Sequence, residues 1–315
     1  MSADAGQPAA VTDQGLPRVT VVIPTHDRPQ LLREAITSVL AQDYAGDIEL
    51  IVVFDGAEPD LDLLTEFPER LQVIRNQHTR GLAGARNSGI EAGTGELVAF
   101  LDDDDHWLPQ KLRRQVERYR QTGAPFLVTT AMTVDFDGVQ SPRLAGTEEV
   151  TVGHLARSRM AMLHSSSFLF HRERLLASGK VPEEAPGSQN EDWDLLLRAA
   201  KLSPIAHVDE PLVVVRWGKS SFFARRWDGR NASLDWMMQR HPEICADTVG
   251  HSRVLGQLAF GEAAQGNRIA AWRLASRAIR RRPTQWRAWI AAPVALYPPS
   301  SEWVMNALHK RGRGV

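Results

Sequence analysis

Four consecutive aspartates, Asp102 to Asp105, directly follow the apolar run Leu97–Leu101 in a chain of 315 residues. Neighbouring carboxylates repel one another, so such a run at a strand end needs a cation or solvent to compensate for its charge. A hard divalent cation such as Mg²⁺ or Mn²⁺ binds through one or two carboxylates together with substrate phosphate oxygens. In an extended backbone Asp102 and Asp104 point the same way, which makes them the candidate metal ligands. The alternative is a solvated acidic turn.

A second group of acids, Glu191, Asp192 and Asp194, opens a leucine-rich segment much later in the chain. A positioned carboxylate can act as a general base that takes the proton from a hydroxyl group. Acids in the first turn of a helix also complement its dipole, and Ser188 precedes Glu191 by the spacing of a capping box. Spacing alone therefore leaves a catalytic role and a helix-capping role open.

Alternating strands and helices are predicted to position the first group. Apolar, β-branched runs predict four buried strands, with helices over Pro29–Leu40 and Leu82–Ala92. The predicted strands are Val19–Ile23, Ile48–Phe54, Leu71–Arg75 and Leu97–Leu101. Such alternation predicts a Rossmann-like, mostly parallel sheet with helices on both faces, whose ligands bind at the carboxyl ends of the strands. Polar residues that include Thr25, His26, Arg28 and Asp55 follow two of these strands, so they are candidate ligand contacts.

The remaining pattern predicts further elements and a change of structural class. Helices are predicted over Pro109–Tyr119, Arg172–Ser178 and Glu191–Leu202, strands over Phe126–Thr130, Ser166–Phe170 and Leu212–Arg216, and turns at Asp137-Gly138 and Ser141-Pro142. From about Phe222 onward the pattern is helical, with apolar and basic stripes that predict an α-hairpin over residues 252–282. We therefore predict a disordered leader over residues 1–17, an α/β domain over 18–220 and a helical extension over 221–315.

Composition indicates a soluble protein of a reducing compartment. Cys245 is the single cysteine, which excludes a disulfide framework and a cysteine-based zinc site. The small, polar N-terminal sequence has neither a basic nor an apolar region of the kind found in signal peptides. No apolar run approaches the roughly 20 residues of a membrane-spanning helix. We expect a cytoplasmic location.

The charge distribution sets the C-terminal segment apart. Residues 267–315 contain ten Lys or Arg and one acid, Glu302, so this segment carries +9 and the rest of the chain −10. One interpretation is a helical cap with a solvated basic face. The other is contact with an anionic membrane surface, which would associate the protein with the inner face of the membrane. Nucleic-acid binding is not expected, since the positive charge is confined to the tail.

Four motifs together resemble family 2 glycosyltransferases, which are inverting enzymes of the GT-A fold. The motifs are Val19–Thr25, Val52–Gly56, Arg80–Gly89 and Ala99–Trp107, and the resemblance covers roughly residues 18–217. It implies a GT-A type nucleotide-diphospho-sugar transferase fold followed by a C-terminal α-helical extension. It also implies Mg²⁺ or Mn²⁺, a nucleoside-diphosphate sugar donor and a saccharide, lipid-linked or other hydroxyl acceptor. The expected setting is the synthesis of cell-surface polysaccharide or glycolipid.

The resemblance assigns donor contacts residue by residue. Pro24 and Thr25 stand where the first strand of the family meets the nucleotide, and Asp55 matches the acid that contacts the base. Arg86 matches an arginine near the diphosphate, and its guanidinium group suits oxyanions. Asp102 and Asp104 match the DxD metal pair, with Asp103 facing the ribose. The sequence departs from the family at Phe54, where an acid is common, so the base and ribose contacts are expected to differ.

The resemblance also resolves the role of the second acidic group. It places the catalytic base at Asp192, with Glu191 orienting the acceptor and Trp193 either stacking on a sugar or packing in the core. Asp105 is interpreted as an acid that leads into a helix, and His164 as a polar lining or surface group. Two rival functions are a sugar-phosphate nucleotidyltransferase and a non-catalytic protein of the same fold that binds nucleotide sugars or carbohydrate. The first usually has a glycine-rich loop after strand one, which is absent here, and the acids at both sites argue against the second.

Overall fold

The computed structural model describes residues 15–68, 71–217, 227–297 and 300–309. Ten strands are described: β1 Val19–Thr25, β2 Ile48–Phe54, β3 Leu71–Arg75, β4 Leu97–Phe100, β5 His106–Trp107, β6 Leu127–Phe136, β7 Val139–Arg143, β8 Glu149–Val150, β9 Leu169–His171 and β10 Ile205–Trp217. The helices in the same ranges are α1 Pro29–Leu40, α2 Asp62–Glu66, α3 Leu82–Ala92, α4 Lys111–Gln121, α5 Val152–Arg157, α6 Arg172–Ala177, α7 Glu191–Leu202, α8 Trp227–Arg240, α9 Pro242–Ala246, α10 Thr248–Ala264, α11 Arg268–Arg281, α12 Trp286–Leu296 and α13 Ser300–His309. Most of the predicted leader lies outside the described residues.

All ten described strands belong to one mixed sheet of order β3-β2-β1-β4-β9-β6-β10-β5, with β7 on β6 and β8 on β10. β3, β2, β1 and β4 run parallel, as predicted from their alternation with helices. β9 runs antiparallel to both β4 and β6, whereas β6 and β10 are parallel. The carboxyl ends of β1, β2 and β4 therefore lie side by side at one edge of the sheet. The predicted α/β fold with C-terminal helices is confirmed.

The chain divides into two compact units that do not follow a single cut in the sequence. Unit 1 comprises residues 1–151, 160–183 and 198–219, and it contains the whole sheet. Unit 2 comprises residues 152–159, 184–197 and 220–315, so α5 and the first half of α7 group with the C-terminal helices. The boundary that the sequence predicts between residues 220 and 221 lies outside the described residues, which do not include 218–226.

Unit 1 is held together by apolar side chains on both faces of the sheet. The buried face of α1 consists of Leu32, Ala35, Ile36 and Val39. α3 packs directly on β1, because a Cβ atom at Gly89 would lie 2.3 Å from the side chain of Val22. Such close packing holds the C-terminal half of α3 against the middle of β1.

Unit 2 contains a helical core of its own. α10, α11 and α12 bury small residues against larger ones, and the cluster includes Leu255, Phe260, Ala271, Ala275 and Ala291. The predicted α-hairpin over 252–282 is confirmed as α10 and α11. No helix among the described residues combines the length and apolar character that crossing a bilayer requires.

Two local predictions were wrong. Ser141-Pro142 does not form a turn but lies inside β7, where Pro142 pairs with Thr133. β7 pairs with β6 alone among the described strands, and an edge strand tolerates proline because one side of its backbone needs no partner. Asp105 does not lead into a helix: it precedes the two-residue strand β5 and is buried.

Candidate active site

Asp102 follows β4 and is held by a buried arginine. Nη2 of Arg86 lies 2.6 Å from Oδ1 of Asp102 and also donates to Oγ of Ser165. Arg86 is on α3, and its side chain is fully buried. Burial pushes the pKa of Asp102 up, but the charges of Arg86 and His164 and the hydrogen bonds from Arg86 and Ser165 outweigh it, so the pKa is lowered.

Asp103 turns the other way, toward the end of β1. Its Oδ2 accepts a hydrogen bond of 2.8 Å from Oγ1 of Thr25, and its Oδ1 lies 3.1 Å from Nη1 of Arg28. The same Nη1 atom lies 2.6 Å from Oδ2 of Asp104. Burial raises the pKa of Asp103 to about 6, although Thr25 and Arg28 act in the opposite direction. The predicted donor contacts Thr25, Arg28 and Asp103 therefore lie in direct contact with one another.

Asp105 is the most enclosed of the four carboxylates. It accepts hydrogen bonds from Oγ of Ser166 at 2.6 Å and from the backbone N–H of Arg216 at 3.2 Å. Burial, followed by the negative charges of Asp102 and Asp104, raises the pKa of Asp105 well above its usual value. Nδ1 of His164 lies 3.3 Å from Oδ2 of Asp105.

Three of these groups have the arrangement of a metal site. Ligand atoms of Asp102, Asp105 and His164 all lie within 4.8 Å of one another. Two carboxylates and an imidazole suit a divalent cation, and a bound cation would favour the charged form of Asp105 against the burial and the neighbouring negative charges that raise its pKa. The residues therefore fit a metal ion. Asp104 is not in this group, since its carboxylate faces Arg28.

The sheet topology explains why sequence reasoning missed His164. Because β9 runs antiparallel to β4, the 3-10 turn Ser165–Ser167 that precedes β9 lies beside the end of β4. The turn brings the Ser165 and Ser166 hydroxyl groups onto Asp102 and Asp105. A single histidine with no spaced partner carries no metal-site signal in a sequence, so its interpretation as a polar lining or surface group did not include a ligand role.

Asp55, at the end of β2, has both carboxylate oxygens occupied within the protein. Oδ1 accepts from Nδ2 of Asn76 at 2.8 Å, and Oδ2 accepts from the backbone N–H of Gly81 at 2.9 Å. Nδ1 of His26 lies 2.6 Å from the backbone oxygen of Asp55. These bonds join β1, β2 and the loop before α3 at the same edge of the sheet as the four aspartates.

Trp107 is hydrogen-bonded to the Ser165–Ser167 turn that lies beside the four aspartates. Its indole N–H donates to the backbone oxygen of Ser166 at 2.8 Å, and the side chain is buried, so Trp107 is a core residue. Nζ of Lys111 lies 3.6 Å from the centre of the Trp107 ring. Lys111 is fully buried, and no described residue accepts a hydrogen bond from its Nζ atom. Burial lowers the pKa of Lys111 well below its usual value.

The second acidic group lies in unit 2 at the start of α7. Oδ2 of Asp192 lies 2.6 Å from Nη2 of Arg159, and the aspartate is almost fully buried. Glu191 is also buried. Trp193 is buried and donates from its indole nitrogen to the backbone oxygen of Leu155 at 3.1 Å, which favours core packing over sugar stacking.

Residues on α8 and just after it fix the start of α7. Oδ1 of the fully buried Asp194 lies 2.8 Å from Nε2 of His241 and 2.6 Å from Nε of Arg240. Nδ2 of Asn190 donates to Oγ of Ser233 at 2.7 Å. Residues on both sides of Asp192 are therefore held in place within unit 2.

Comparison with known proteins identifies the family. Residues 20–175 match the family described as glycosyl transferase family 2. This interval contains β1 to β4, the four aspartates and the Ser165–Ser167 turn. The chain belongs to family 2 of the glycosyltransferases, as its four sequence motifs predicted.

Two curated relatives show similarity over part of their length. The succinoglycan biosynthesis protein ExoO of Rhizobium meliloti is 34% identical over 160 residues, which are 50% of this chain and 45% of the relative. The UDP-Glc:alpha-D-GlcNAc-diphosphoundecaprenol beta-1,3-glucosyltransferase WfgD of Escherichia coli is 30% identical over 110 residues, 35% of this chain and 44% of the relative. The chain thus spans less than half of the length of either protein.

A solved structure shows the fold over most of the chain. The mannosyltransferase PcManGT of Pyrobaculum calidifontis, in complex with GDP-Man and Mn²⁺, superposes with a TM-score of 0.58 at 21% identity. The match covers 90% of this chain and 88% of that one. At this identity the likeness establishes the fold alone.

Proposed function

We propose that the protein is an inverting glycosyltransferase that moves a sugar from a nucleoside-diphosphate sugar to a hydroxyl acceptor. The observation that carries the proposal is the carboxylate cluster at the end of β4, backed by the buried Arg86. In open α/β sheets ligands bind at this edge. A buried arginine beside carboxylates that can hold a cation suits the binding of a diphosphate. The negative charge of the diphosphate is then balanced by both the arginine and the cation.

The donor would lie along the ends of β1, β2 and β4. In this proposal Pro24, Thr25, His26 and Asp55 contact the nucleoside, and Arg28 and Asp103 lie next to the ribose and diphosphate. Arg86 and Asp102 act at the diphosphate. Their support is the hydrogen-bonded contact among Thr25, Arg28 and Asp103, and the bonds of Asp55 to the loop before α3.

A divalent cation, Mg²⁺ or Mn²⁺, would be held at Asp102. The sequence proposes Asp104 as its second carboxylate, whereas the distances favour Asp105 and His164. When bound, the cation would neutralise charge that develops on the leaving diphosphate. The Mn²⁺ complex of the similarly folded mannosyltransferase is consistent with such a cofactor.

Asp192 is the proposed general base. It would take the proton of the acceptor hydroxyl as that oxygen attacks the anomeric carbon from the face opposite the diphosphate, which inverts the configuration. The ion pair with Arg159 orients the carboxylate of Asp192. Glu191 is proposed to orient the acceptor, and Trp193 to line the acceptor side mainly through packing.

The proposed acceptor is a saccharide, in particular one on a lipid carrier, used to build a surface polysaccharide or glycolipid at the cytoplasmic side of the membrane. The names of the two relatives support this choice, since one acts in succinoglycan biosynthesis and one on a diphosphoundecaprenol-linked sugar. Peripheral contact with an anionic membrane is part of the proposal. It rests on the aromatic residues that α12 exposes next to the arginine-rich α11.

Calorimetry with a panel of nucleotide sugars, with and without Mn²⁺, tests the proposal. We expect one nucleotide sugar to bind only with the metal, and an acceptor hydroxyl to release free nucleoside diphosphate from it. Preference for a nucleoside triphosphate plus sugar phosphate would instead indicate a nucleotidyltransferase. Binding of a sugar nucleotide without turnover by any acceptor would indicate a non-catalytic binding protein.

A further inference from the structure

The loop that precedes the proposed base has an unusual backbone. Gly187, Ser188 and Asn190 have φ values of 65°, 51° and 64°, so three of the four residues before α7 are in the left-handed region. Glycine adopts this region freely, but serine and asparagine do so at a cost in stability, so the surrounding structure must hold them there. The backbone oxygen of Asn190 accepts a hydrogen bond of 2.9 Å from the amide of Asp194. The loop therefore sets the first turn of α7, which carries Asp192.

The side chain of Ser233, on α8, is bonded to this loop twice. Its Oγ atom donates to the backbone oxygen of Gln189 at 2.6 Å and accepts from Nδ2 of Asn190 at 2.7 Å. Ser233 and Asn190 are both buried, which strengthens these bonds because water does not compete for them. One turn earlier on α8, a Cβ atom at Gly187 would lie 3.2 Å from the Cα atom of Gly229. Glycine at position 187 thus lets the loop pack directly on the backbone of α8.

Arg240, the last residue of α8, contacts both ends of the segment that contains the loop. Its Nε atom lies 2.6 Å from Oδ1 of Asp194, and its Nη1 atom lies 3.2 Å from Oε1 of Glu184. The guanidinium group also stands over the ring of Trp236 at 5.1 Å, which limits where it can lie. A single side chain therefore closes residues 184–194 into a loop that includes the proposed base.

All of these contacts come from one face of α8. Residues 229, 233, 236 and 240 are four, three and four positions apart, which is the spacing of one side of a helix. α8 begins after the interval 20–175 that matches the family, and it groups with residues 184–197 in unit 2. The helices that follow the sheet thus supply side chains that hold the start of α7.

We propose that α8 positions the catalytic base, with Ser233 and Arg240 holding the loop so that the carboxylate of Asp192 keeps the orientation in which it accepts a proton. The proposal rests on the proposed function, since it takes Asp192 as the base. Strained segments that several contacts hold in place are typical of active sites, where a small displacement of a catalytic group lowers the rate. The helical extension is then part of the catalytic machinery, and Ser233 and Arg240 are positioning residues.

Two buried serines of unit 2 give a matched test. S233A removes both hydrogen bonds between α8 and the loop. S252A is the control, because Ser252 is equally buried and donates to the backbone oxygen of Ala278 at 3.2 Å, away from the loop. Thermal melting of both variants shows how much stability each substitution removes, so that a general loss of stability can be separated from a loss of positioning.

The first measurement is the release of nucleoside diphosphate from UDP-glucose and GDP-mannose with Mn²⁺, with water as the acceptor. We expect S233A to be at least roughly tenfold slower than wild type, because a displaced general base loses much of its effect. UDP and GDP should bind S233A within about twofold of wild type, since the proposed donor contacts belong to unit 1. S252A should match wild type in rate and in nucleotide affinity. Equal rates for S233A and S252A overturn the proposal.

A second pair of variants separates the backbone conformation from the side-chain bond. N190G keeps the left-handed backbone without strain and loses only the bond to Ser233, whereas N190A loses both. We expect the rate to fall from wild type to N190G and further to N190A. R240Q, which breaks the contacts at residues 184 and 194, should also slow the reaction. If S233A does not fold, the comparison of N190A with N190G replaces it, and wild-type rates in both overturn the proposal.

Amide hydrogen exchange tests the position of the first turn of α7 without any substrate. Residues 191–195 should exchange roughly tenfold faster in S233A than in wild type and at the wild-type rate in S252A. Unchanged exchange in S233A overturns the proposal.

The controls also separate this proposal from the proposed function. A wild-type protein that releases no nucleoside diphosphate from any nucleotide sugar overturns the proposed function, and this proposal with it. Full activity of D192N removes the base and has the same consequence for the role of α8. If D192N is inactive while S233A, N190A and R240Q keep the wild-type rate, the positioning role alone fails and the proposed function stands.

Discussion

The four consecutive aspartates have four different environments, and this difference decides what each can do. Asp102 is balanced by Arg86, Asp103 accepts from Thr25, and Asp104 shares Arg28 with Asp103. Asp105 accepts hydrogen bonds from Ser166 and from the backbone N–H of Arg216, and among the described residues no arginine side chain pairs with it. A cation should therefore bind most favourably between Asp105 and Asp102, because the protein compensates the negative charge least there.

This imbalance predicts the ligands of the metal. Asp105→Asn should weaken Mn²⁺ binding by roughly tenfold or more, whereas Asp104→Asn should change it much less, since Asp104 is committed to Arg28. Calorimetric titration of Mn²⁺ in the presence of nucleoside diphosphate measures both. A larger loss of Mn²⁺ affinity in Asp104→Asn than in Asp105→Asn would instead support Asp102 and Asp104 as the metal ligands, as the sequence predicts. His164→Gln serves as an independent variant, and it should also weaken binding.

A second prediction concerns the proposed base. Asp192→Asn keeps the size of the side chain but removes the proton acceptor, so the transfer rate should fall by roughly 10²- to 10⁴-fold. Donor affinity should be unchanged, and both quantities are measured with the nucleotide sugar identified by calorimetry. Asp62→Asn, on an exposed position of α2, is the matched control. Undiminished turnover in Asp192→Asn would remove this residue from the mechanism.

At the scale of elements, the sequence predicts the strands and helices whose pattern is strong and local. β2, β3, α1, α3 and α7 begin and end where their apolar periodicity predicts. The strands β5 and β8 are two residues long, and such segments have no period from which to predict them. The strand predicted over Ser166–Phe170 overlaps β9 only at Leu169 and Phe170, because Ser165–Ser167 form a 3-10 turn. The pairing of these short strands comes from the sheet as a whole.

The same distinction explains which site residues were predictable. Asp55 follows β2, and Asp102 and Asp103 follow β4. Both strands run parallel to β1, so the location of these residues at one edge follows from the alternation of strands and helices. His164 and Ser166 reach that edge only because β9 enters the sheet antiparallel between β4 and β6. Contacts that depend on a non-local pairing leave no spacing signal in the sequence.

Lys111 gives a prediction at the scale of α4, the helix that it begins. Its amine is buried against Trp107, and in the folded protein the pKa of Lys111 is well below its ordinary value of 10.5. The unfolded chain therefore binds a proton that the folded chain lacks between these two pKa values. Accordingly, the free energy of unfolding should rise with pH up to about 10.5 and fall as the pH decreases through that window.

The measurement is urea denaturation of wild type and Lys111→Met between neutral and alkaline pH. The methionine variant should be more stable near pH 7 by about 1 kcal/mol or more, because burying an amine without a hydrogen bond is costly. Its advantage should shrink as the pH rises. Lys201→Met, at an exposed position of α7, is the control, and it should show no such pH dependence. Parallel pH profiles for wild type and Lys111→Met would contradict the prediction.

At the scale of the whole molecule, the basic C-terminal segment combines charge with exposed apolar surface. The outer face of α12 presents Trp289, Pro293 and Leu296 at helical spacing, followed by Tyr297. Trp289, Leu296 and Tyr297 are 56%, 67% and 65% exposed. α11 lies in the same unit and contains five arginines and no acid. Exposed aromatic residues beside arginines fit a membrane interface, where the rings enter the headgroup region and the cations meet anionic lipid.

Self-association through this face is less favourable, since a symmetric dimer would bring arginines against arginines. We therefore predict that the protein binds vesicles of phosphatidylcholine with about one third phosphatidylglycerol, and that salt weakens this binding. Replacing Trp289 and Tyr297 with serine should reduce vesicle binding in a flotation assay by roughly tenfold, because the membrane would no longer bury these two aromatic rings.

The control replaces Val139 and Leu144, exposed apolar residues of unit 1, with serine. Equal vesicle binding by W289S/Y297S and by the control variant would show that the outer face of α12 does not bind the membrane. A dimer of wild type that W289S/Y297S abolishes in analytical ultracentrifugation would assign the face to a second copy of the chain instead.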